Sequence, residues 1–218
     1  MGTGIYYPRE QQSLPVKSWN FVKQFRYDIG DRGPGGGIIV CTPMTPDPFS
    51  SPGRMNYYIE VAPVGWYGGD GQDPTAQWGC LGTNLSGADG QDPQYSLQNT
   101  IDIVTGCPTP GIAADLARSY TGGGKTDWCL PSLRAMTISY GITTLTSGTT
   151  KLTNGDYAYQ RLGLTFYDGY YYWGSTENGA NYSYGYSPSQ AANAYYALSV
   201  KNTPNRVRPI RVFSSSNV

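Results

Sequence analysis

Thr109–Tyr140 reads TPGIAADLARSYTGGGKTDWCLPSLRAMTISY, and the helical signals of the chain are concentrated there. Thr109 is suited to cap a helix that has Pro110 at its first position. Ile112, Ala113, Leu116, Ala117 and Tyr120 then follow a 3.6-residue period, and the run Gly122–Gly123–Gly124 ends that helix. Trp128–Cys129–Leu130 reads as a short strand. Ser132 caps a second helix that turns Leu133, Met136 and Tyr140 inward. Just upstream, Leu97, Ile101 and Val104 make only a short amphipathic turn set. The reading is therefore two short helices in a chain that is otherwise strands and turns.

Outward from this centre the pattern changes. Upstream, Gly33–Pro34–Gly35–Gly36–Gly37 is a turn before the apolar run Ile38–Ile39–Val40–Cys41, and Tyr57–Ala62 is a further strand. Residues 42–56 between them form a Pro-rich loop. Downstream, Asn154–Gly155, Asp168–Gly169 and Asn178–Gly179 are hairpin dipeptides. Asn205–Phe213 closes the chain as one strand, its Arg206, Arg208 and Arg211 expected on a charged face. Residues 1–25 are polar with scattered apolar side chains (Leu14, Val16, Trp19, Phe21, Phe25), an extended arm for attachment or oligomerisation. The domain proper is expected over 26–213, with 214–218 a tail.

Composition excludes several functions. Net charge is zero and no basic block exists, which argues against a nucleic-acid groove. No apolar run approaches the roughly 18 residues of a membrane span, and the N-terminus lacks the apolar core of a signal peptide. A protein of this kind acting outside its cell of origin is expected to leave by lysis. There are 218 residues and no histidine, so the commonest general base and the commonest zinc ligand are both missing. The four cysteines lack metal-ligand spacing. Cys80 and Cys107 sit beside turn residues and are the expected disulfide pair; Cys41 and Cys129 read as small buried hydrophobes.

Tyr167–Tyr196 holds nine of the twenty tyrosines, interleaved with Ser, Gly, Asn and Ala. That mixture suits a contact surface, because Tyr offers a stiff, amphipathic contact area and the small polar residues adaptable hydrogen bonds. Tyr167, Tyr170, Tyr171, Tyr172, Asn181, Tyr182, Tyr184, Tyr186, Tyr195 and Tyr196 are the candidate contact residues. The competing reading packs the same rings in a β-rich core with hydroxyls at its edge.

Other candidates carry ordinary explanations. Asp70–Pro74 and Asp89–Pro93 repeat the sequence DGQDP, which makes Asp70, Asp73, Asp89 and Asp92 weak calcium candidates. No EF-hand spacing accompanies them, and Asp-Gly and Asp-Pro are turn formers in their own right. Gly122–Thr126 has the tail of a phosphate-binding loop, but Ser119 stands where the first glycine belongs and a strand follows where a helix should. No cofactor and no catalytic residue is expected.

Several blocks in order carry a resemblance: IGDRGPGGGIIV (29–40), AQWGC (76–80), GADG (87–90), IVTGC (103–107), GIAADLARSYTGGGKTDWCLPS (111–132), YYWGSTEN (171–178) and NRVRPIRVF (205–213). Together they resemble the DUF1566 family over about residues 26–213. The resemblance implies a C-type-lectin-like fold of class α+β, two short helices beside a twisted, mainly antiparallel sheet with long loops. It implies that Glu177 pairs with Arg208 or Arg211. It also implies display on a bacterial surface or phage particle. The expected function is a non-catalytic virion adhesin of tail-fibre type, contacting a host-surface glycan or protein through the Tyr-rich loop. Residues 1–25 would join it to other virion proteins or to its own copies, a trimer being the expected oligomer. A structural virion subunit, a capsid decoration or tail component with its tyrosines on neighbouring copies, is the alternative.

Overall fold

The two apolar runs upstream form the first paired strands. In the computed structural model β1 (Ile38–Cys41) lies antiparallel to β2 (Tyr58–Val61), with Ile38 opposite Val61. The structure describes residues 27–45, 47, 49–50, 53–68, 71–140, 164, 166, 171–187 and 195–214. The arm over 1–25 and the dipeptides Asn154–Gly155 and Asp168–Gly169 lie outside those residues, as does all of the tail beyond Ser214.

The fold is α+β, with eight strands in two sheets among the described residues. β2 also pairs antiparallel with β8 (Ile210–Phe213), completing the sheet β1-β2-β8. The second sheet contains β3 (Thr75–Ala76), β4 (Tyr172–Asn178), β5 (Tyr182–Ser187), β6 (Tyr195–Val200) and β7 (Asn205–Arg206), in the order β3-β7-β4-β5-β6. Its pairs are antiparallel except β4 with β7, where Tyr172 and Arg206 run parallel. The expected single strand over 205–213 is thus two strands in two sheets. Pro209 has no N–H to give a ladder, and its carbonyl accepts from Ala62 while the Val207 N–H turns to the Pro74 carbonyl. Trp128–Cys129–Leu130 contributes only a bridge, Cys129 to Ile210.

Among the described residues there are three α-helices, not two. α1 (Ser96–Gly106) is a full helix where apolar spacing marked only a turn set, because much of its inward face is polar. The buried Asn99 amide bridges to Gly90, and the Thr100 hydroxyl donates to the Ser96 carbonyl while accepting the Leu130 N–H. α2 (Ala113–Ser119) starts later than the Thr109 cap predicted. Gly111 takes φ +77° and Ile112 is extended, and the Asp115 carboxylate accepts the Gly111 N–H at 2.8 Å. α3 (Leu133–Tyr140) begins after Ser132, whose Oγ accepts the Ala135 N–H in a capping bond.

Two cores result. α3 inserts Ala135, Met136 and Ile138 against Val40, Ile59, Val61 and Ile210 of one sheet and Tyr172 and Tyr186 of the other. α1 and α2 pack Ile103, Ala113, Ala114 and Ala117 around Trp78, Trp128 and Trp173. β4 approaches α3 closely at Gly174, where a Cβ would meet Met136 Cε at 2.5 Å and the Pro131 carbonyl oxygen at 3.1 Å, so a larger residue would push the methionine aside. No helix among the described residues is long and apolar enough to cross a membrane.

Candidate binding face

Alternation along a strand sends successive side chains to opposite faces, and the β5–β6 hairpin uses this fully. Tyr182, Tyr184 and Tyr186 stand opposite Val200, Leu198 and Tyr196, while Ser183, Gly185 and Ser187 stand opposite Ser199, Ala197 and Tyr195. One face therefore carries the large side chains, and the other is mostly Ser, Gly and Ala.

Burial grades along that large face. Tyr186 is buried in the α3 core, Tyr184 half-buried, and Tyr182 44% exposed. On the edge strand β6, Tyr196, Leu198 and Val200 are 54%, 49% and 37% exposed. Tyr184 and Tyr196 meet edge to face with centroids 6.0 Å apart, and the Asn178 amide donates to the Tyr184 hydroxyl at 3.4 Å. The result is a strip of rings and aliphatic side chains open to solvent.

Sequence-expected contact residues divide accordingly. Tyr182, Tyr196 and Asn181 are exposed; Tyr171 and Tyr184 are half-buried. Tyr172 and Tyr186 are corrections, since both are core residues and neither belongs to a contact surface. The Tyr172 hydroxyl reaches inward, donating to Asp73 at 2.9 Å. Tyr167 and Tyr170 lie outside the described residues, and for Tyr195 only the backbone is described. Leu198 and Val200 were missed. Their period-two spacing after Tyr196 is the signal that could have found them.

Buried ion pairs hold the hairpin and the sheets in place. Lys201, immediately after β6, forms an ion pair with Glu177 of β4, donates to the Thr83 carbonyl and lies 4.6 Å over the Trp78 ring. The expected pairing of Glu177 with Arg208 or Arg211 is thereby corrected. Arg208 instead makes a two-pronged bond to Asp73, Nε and Nη2 each at 2.6 Å, with both side chains fully buried. Asp73 also accepts from the Trp66 indole at 2.9 Å. Arg211 pairs with Glu60 at 2.9 Å and with Asp127 at 2.5 Å. Arg206, Arg208 and Arg211 are all buried, so the terminal strand has no exposed charged face. An arginine is costly to bury unless a carboxylate meets it, and Arg208 and Arg211 find carboxylates on distant loops and strands.

Glu60 explains the glycine run. Its carboxylate accepts from Gly35 N (2.9 Å) and Gly37 N (2.7 Å) as well as from Arg211. A Cβ at Gly35 would sit 2.5 Å from the Trp128 ring, so only glycine lets the loop close over the acid.

The calcium candidates are spread among other duties. Asp73 is consumed by Arg208, Asp92 pairs with Arg134, Asp89 is exposed, and Asp70 lies outside the described residues. Among the described residues no group of three or more His, Cys, Asp or Glu is placed to hold a metal ion. Cys80 and Cys107 are joined in a disulfide, the pair that the flanking turns suggested. Cys41 and Cys129 are buried free thiols, and burial raises both pKa values, Cys41 to about 12. At neutral pH they are protonated, and only a thiolate is an effective nucleophile. The geometry of the hairpin face offers rings, aliphatic surface and phenolic hydroxyls, the groups of a binding surface. In comparisons with known proteins, no family model matches the chain and no curated protein matches it significantly.

Proposed function

We propose that this chain is a non-catalytic adhesin of a phage particle, a DUF1566-type domain with a C-type-lectin-like fold, which grips a host-surface glycan or protein. The observation that supports this reading is the exposed strip of Tyr182, Tyr196, Leu198 and Val200 on a hairpin held from behind by the Glu177–Lys201 pair. Exposed aromatic and aliphatic side chains in one patch mark interaction sites on protein surfaces, and tyrosines dominate the energetics of such contacts. Residues 1–25 would mount the domain on the particle, and a trimer is the proposed assembly.

The test is adsorption of the labelled protein to a panel of bacterial cells, beside the variant Tyr182→Ala/Tyr196→Ala/Leu198→Ala. Tyr186 is left alone because it supports the core. Saturable adsorption by the wild type, reduced at least about thirtyfold in the variant, is expected for side chains worth about 2 kcal/mol or more at an interface centre. Equal adsorption by a folded variant would refute the reading.

A second reading has its own observation. Among the described residues β6 ends its sheet, and an exposed edge with an apolar face is a template for adding a strand from another chain. A structural subunit would use this edge against neighbouring copies. Concentration-dependent assembly abolished by Leu198→Lys, without adsorption to any cell, would favour it.

A further inference from the structure

A cavity of about 320 Å³ lies away from the hairpin, between the Pro-rich loop before β2 and the segment linking Asp92 to α1. That volume is at the lower end of small-molecule sites, roughly 300–1,000 Å³. Its walls are polar, unlike the mostly apolar lining of a typical pocket. Arg54, Arg134, Asp47 and Asp92 line it, two cations and two anions with no net charge.

These charged groups are held in place. Arg134 forms an ion pair with Asp92, and its guanidinium lies 4.9 Å over the Phe49 ring. Arg54 donates to the Met44 carbonyl at 2.9 Å, and Asp47 accepts the Phe49 N–H at 2.8 Å. Burial raises the Tyr57 phenol's pKa, so that hydroxyl is a donor at every physiological pH.

Ser50, Asn56 and Gln94 are also in the polar lining, and both amide residues are exposed. Among the described residues neither amide has a hydrogen-bond partner in the protein. Asn56 stands at φ +60°, in the left-handed region that non-glycine residues rarely adopt.

We propose that this cavity is a binding site for a neutral polyhydroxylated ligand, a single sugar ring of a carbohydrate. The charged groups have partners within the protein, but an apolar ligand would cover the two amides without giving them any, at a cost of about 1–3 kcal/mol each. A free anion or cation would meet balanced charge and no net attraction. A sugar presents adjacent hydroxyls that donate and accept together, which matches a lining that holds amides, carboxylates and guanidinium groups together. The Phe49 and Tyr57 rings supply apolar surface for its C–H face. This site goes beyond the adhesive hairpin and shares no residue with it.

The experiment titrates the methyl glycosides of glucose, galactose, mannose and N-acetylglucosamine separately into the isotopically labelled full chain, followed by amide NMR shifts. The variant Asn56→Gly/Gln94→Ala keeps the left-handed backbone while removing both amides, and its melting temperature checks the fold. At least one glycoside is expected to saturate, with shifts centred on Phe49, Asn56 and Gln94. The double variant is expected to bind it about tenfold more weakly, as for two lost neutral hydrogen bonds. The hairpin variant Tyr182→Ala/Tyr196→Ala/Leu198→Ala should bind it like the wild type. The proposal is overturned if no glycoside saturates, if the amide-less variant binds as the wild type does, or if the shifts map to the hairpin. Displacement of the glycoside by inorganic phosphate would also overturn it, by showing an anion site.

Discussion

Asp73→Ala should come close to unfolding the protein. The wild-type carboxylate accepts four hydrogen bonds, two from Arg208 at 2.6 Å and one each from Trp66 and Tyr172 at 2.9 Å. Removing it takes from the buried Arg208 guanidinium the carboxylate that two of its nitrogens donate to, and breaking a buried pair in this way costs about 3–5 kcal/mol. The Tyr172 hydroxyl also loses its acceptor, for about 1–3 kcal/mol more, although contributions within one network do not simply add. A total near 5 kcal/mol is a third or more of a domain stability of about 5–15 kcal/mol. With a urea dependence of about 2 kcal/mol/M, the unfolding midpoint should fall by about 2.5 M. Tryptophan fluorescence reads this directly, since Trp66, Trp78, Trp128 and Trp173 are all buried. Asp92→Ala is the control, because its pair with Arg134 is about 40% exposed on both sides (43% and 39%). Its loss should cost at most about 1 kcal/mol, a midpoint shift of about 0.5 M or less. Equal midpoints for the two variants would refute the claim that the buried Asp73–Arg208 pair organises the fold.

Three further outcomes follow from the buried groups. Glu177→Ala strands the buried Lys201 ammonium and should cost about 3 kcal/mol, with faster amide exchange along β6; a melting temperature equal to wild type would contradict the clamp. For the thiols, burial raises the folded-state pKa values of Cys41 and Cys129 above 9.0, their ordinary value, so the stability they contribute is complete below about pH 9 and is lost as pH rises toward 12. Unfolding midpoints between pH 8 and 11 should therefore fall, and less steeply in Cys41→Ala. A thiol reagent at pH 8 should label neither cysteine until denaturant is added, whereas prompt labelling of the native chain would contradict their burial.

Local features were readable in the chain, and distant partners were not. Ile38–Cys41 and Tyr58–Val61 are apolar runs of strand length, Ser132 caps a helix, and Asn178–Gly179 turns a hairpin, each decided by a few neighbouring residues. α1 was under-read because Ser96, Asn99 and Thr100 put hydrogen bonds where the periodicity test looks for methyl groups. The arginines of the last segment alternate with apolar residues, a pattern that ordinarily means a wet face. Asp73 and Glu60 stand 135 and 151 residues before Arg208 and Arg211, and nothing local to those arginines announces them. The tyrosines pose a different problem. Tyr182, Tyr184 and Tyr186 share one face, so parity cannot separate the exposed ring from the buried one. That distinction depends on how far α3 extends beneath the sheet.

The division of residues 205–213 between the two sheets also bears on how the chain is made. Among the described residues β2 gains its second neighbour from β8, and β4 joins β3 through β7. At roughly 5–20 residues per second, the ribosome holds β1 and β2 on the order of ten seconds before their last partner emerges. Throughout that interval Ile59 and Val61 have no closed core, and Glu60 has no arginine to neutralise it. A stop codon just before Asn205 would remove under a tenth of the chain, yet leave both sheets without a member. Such a product should be cleared by proteases and not accumulate as a shortened protein.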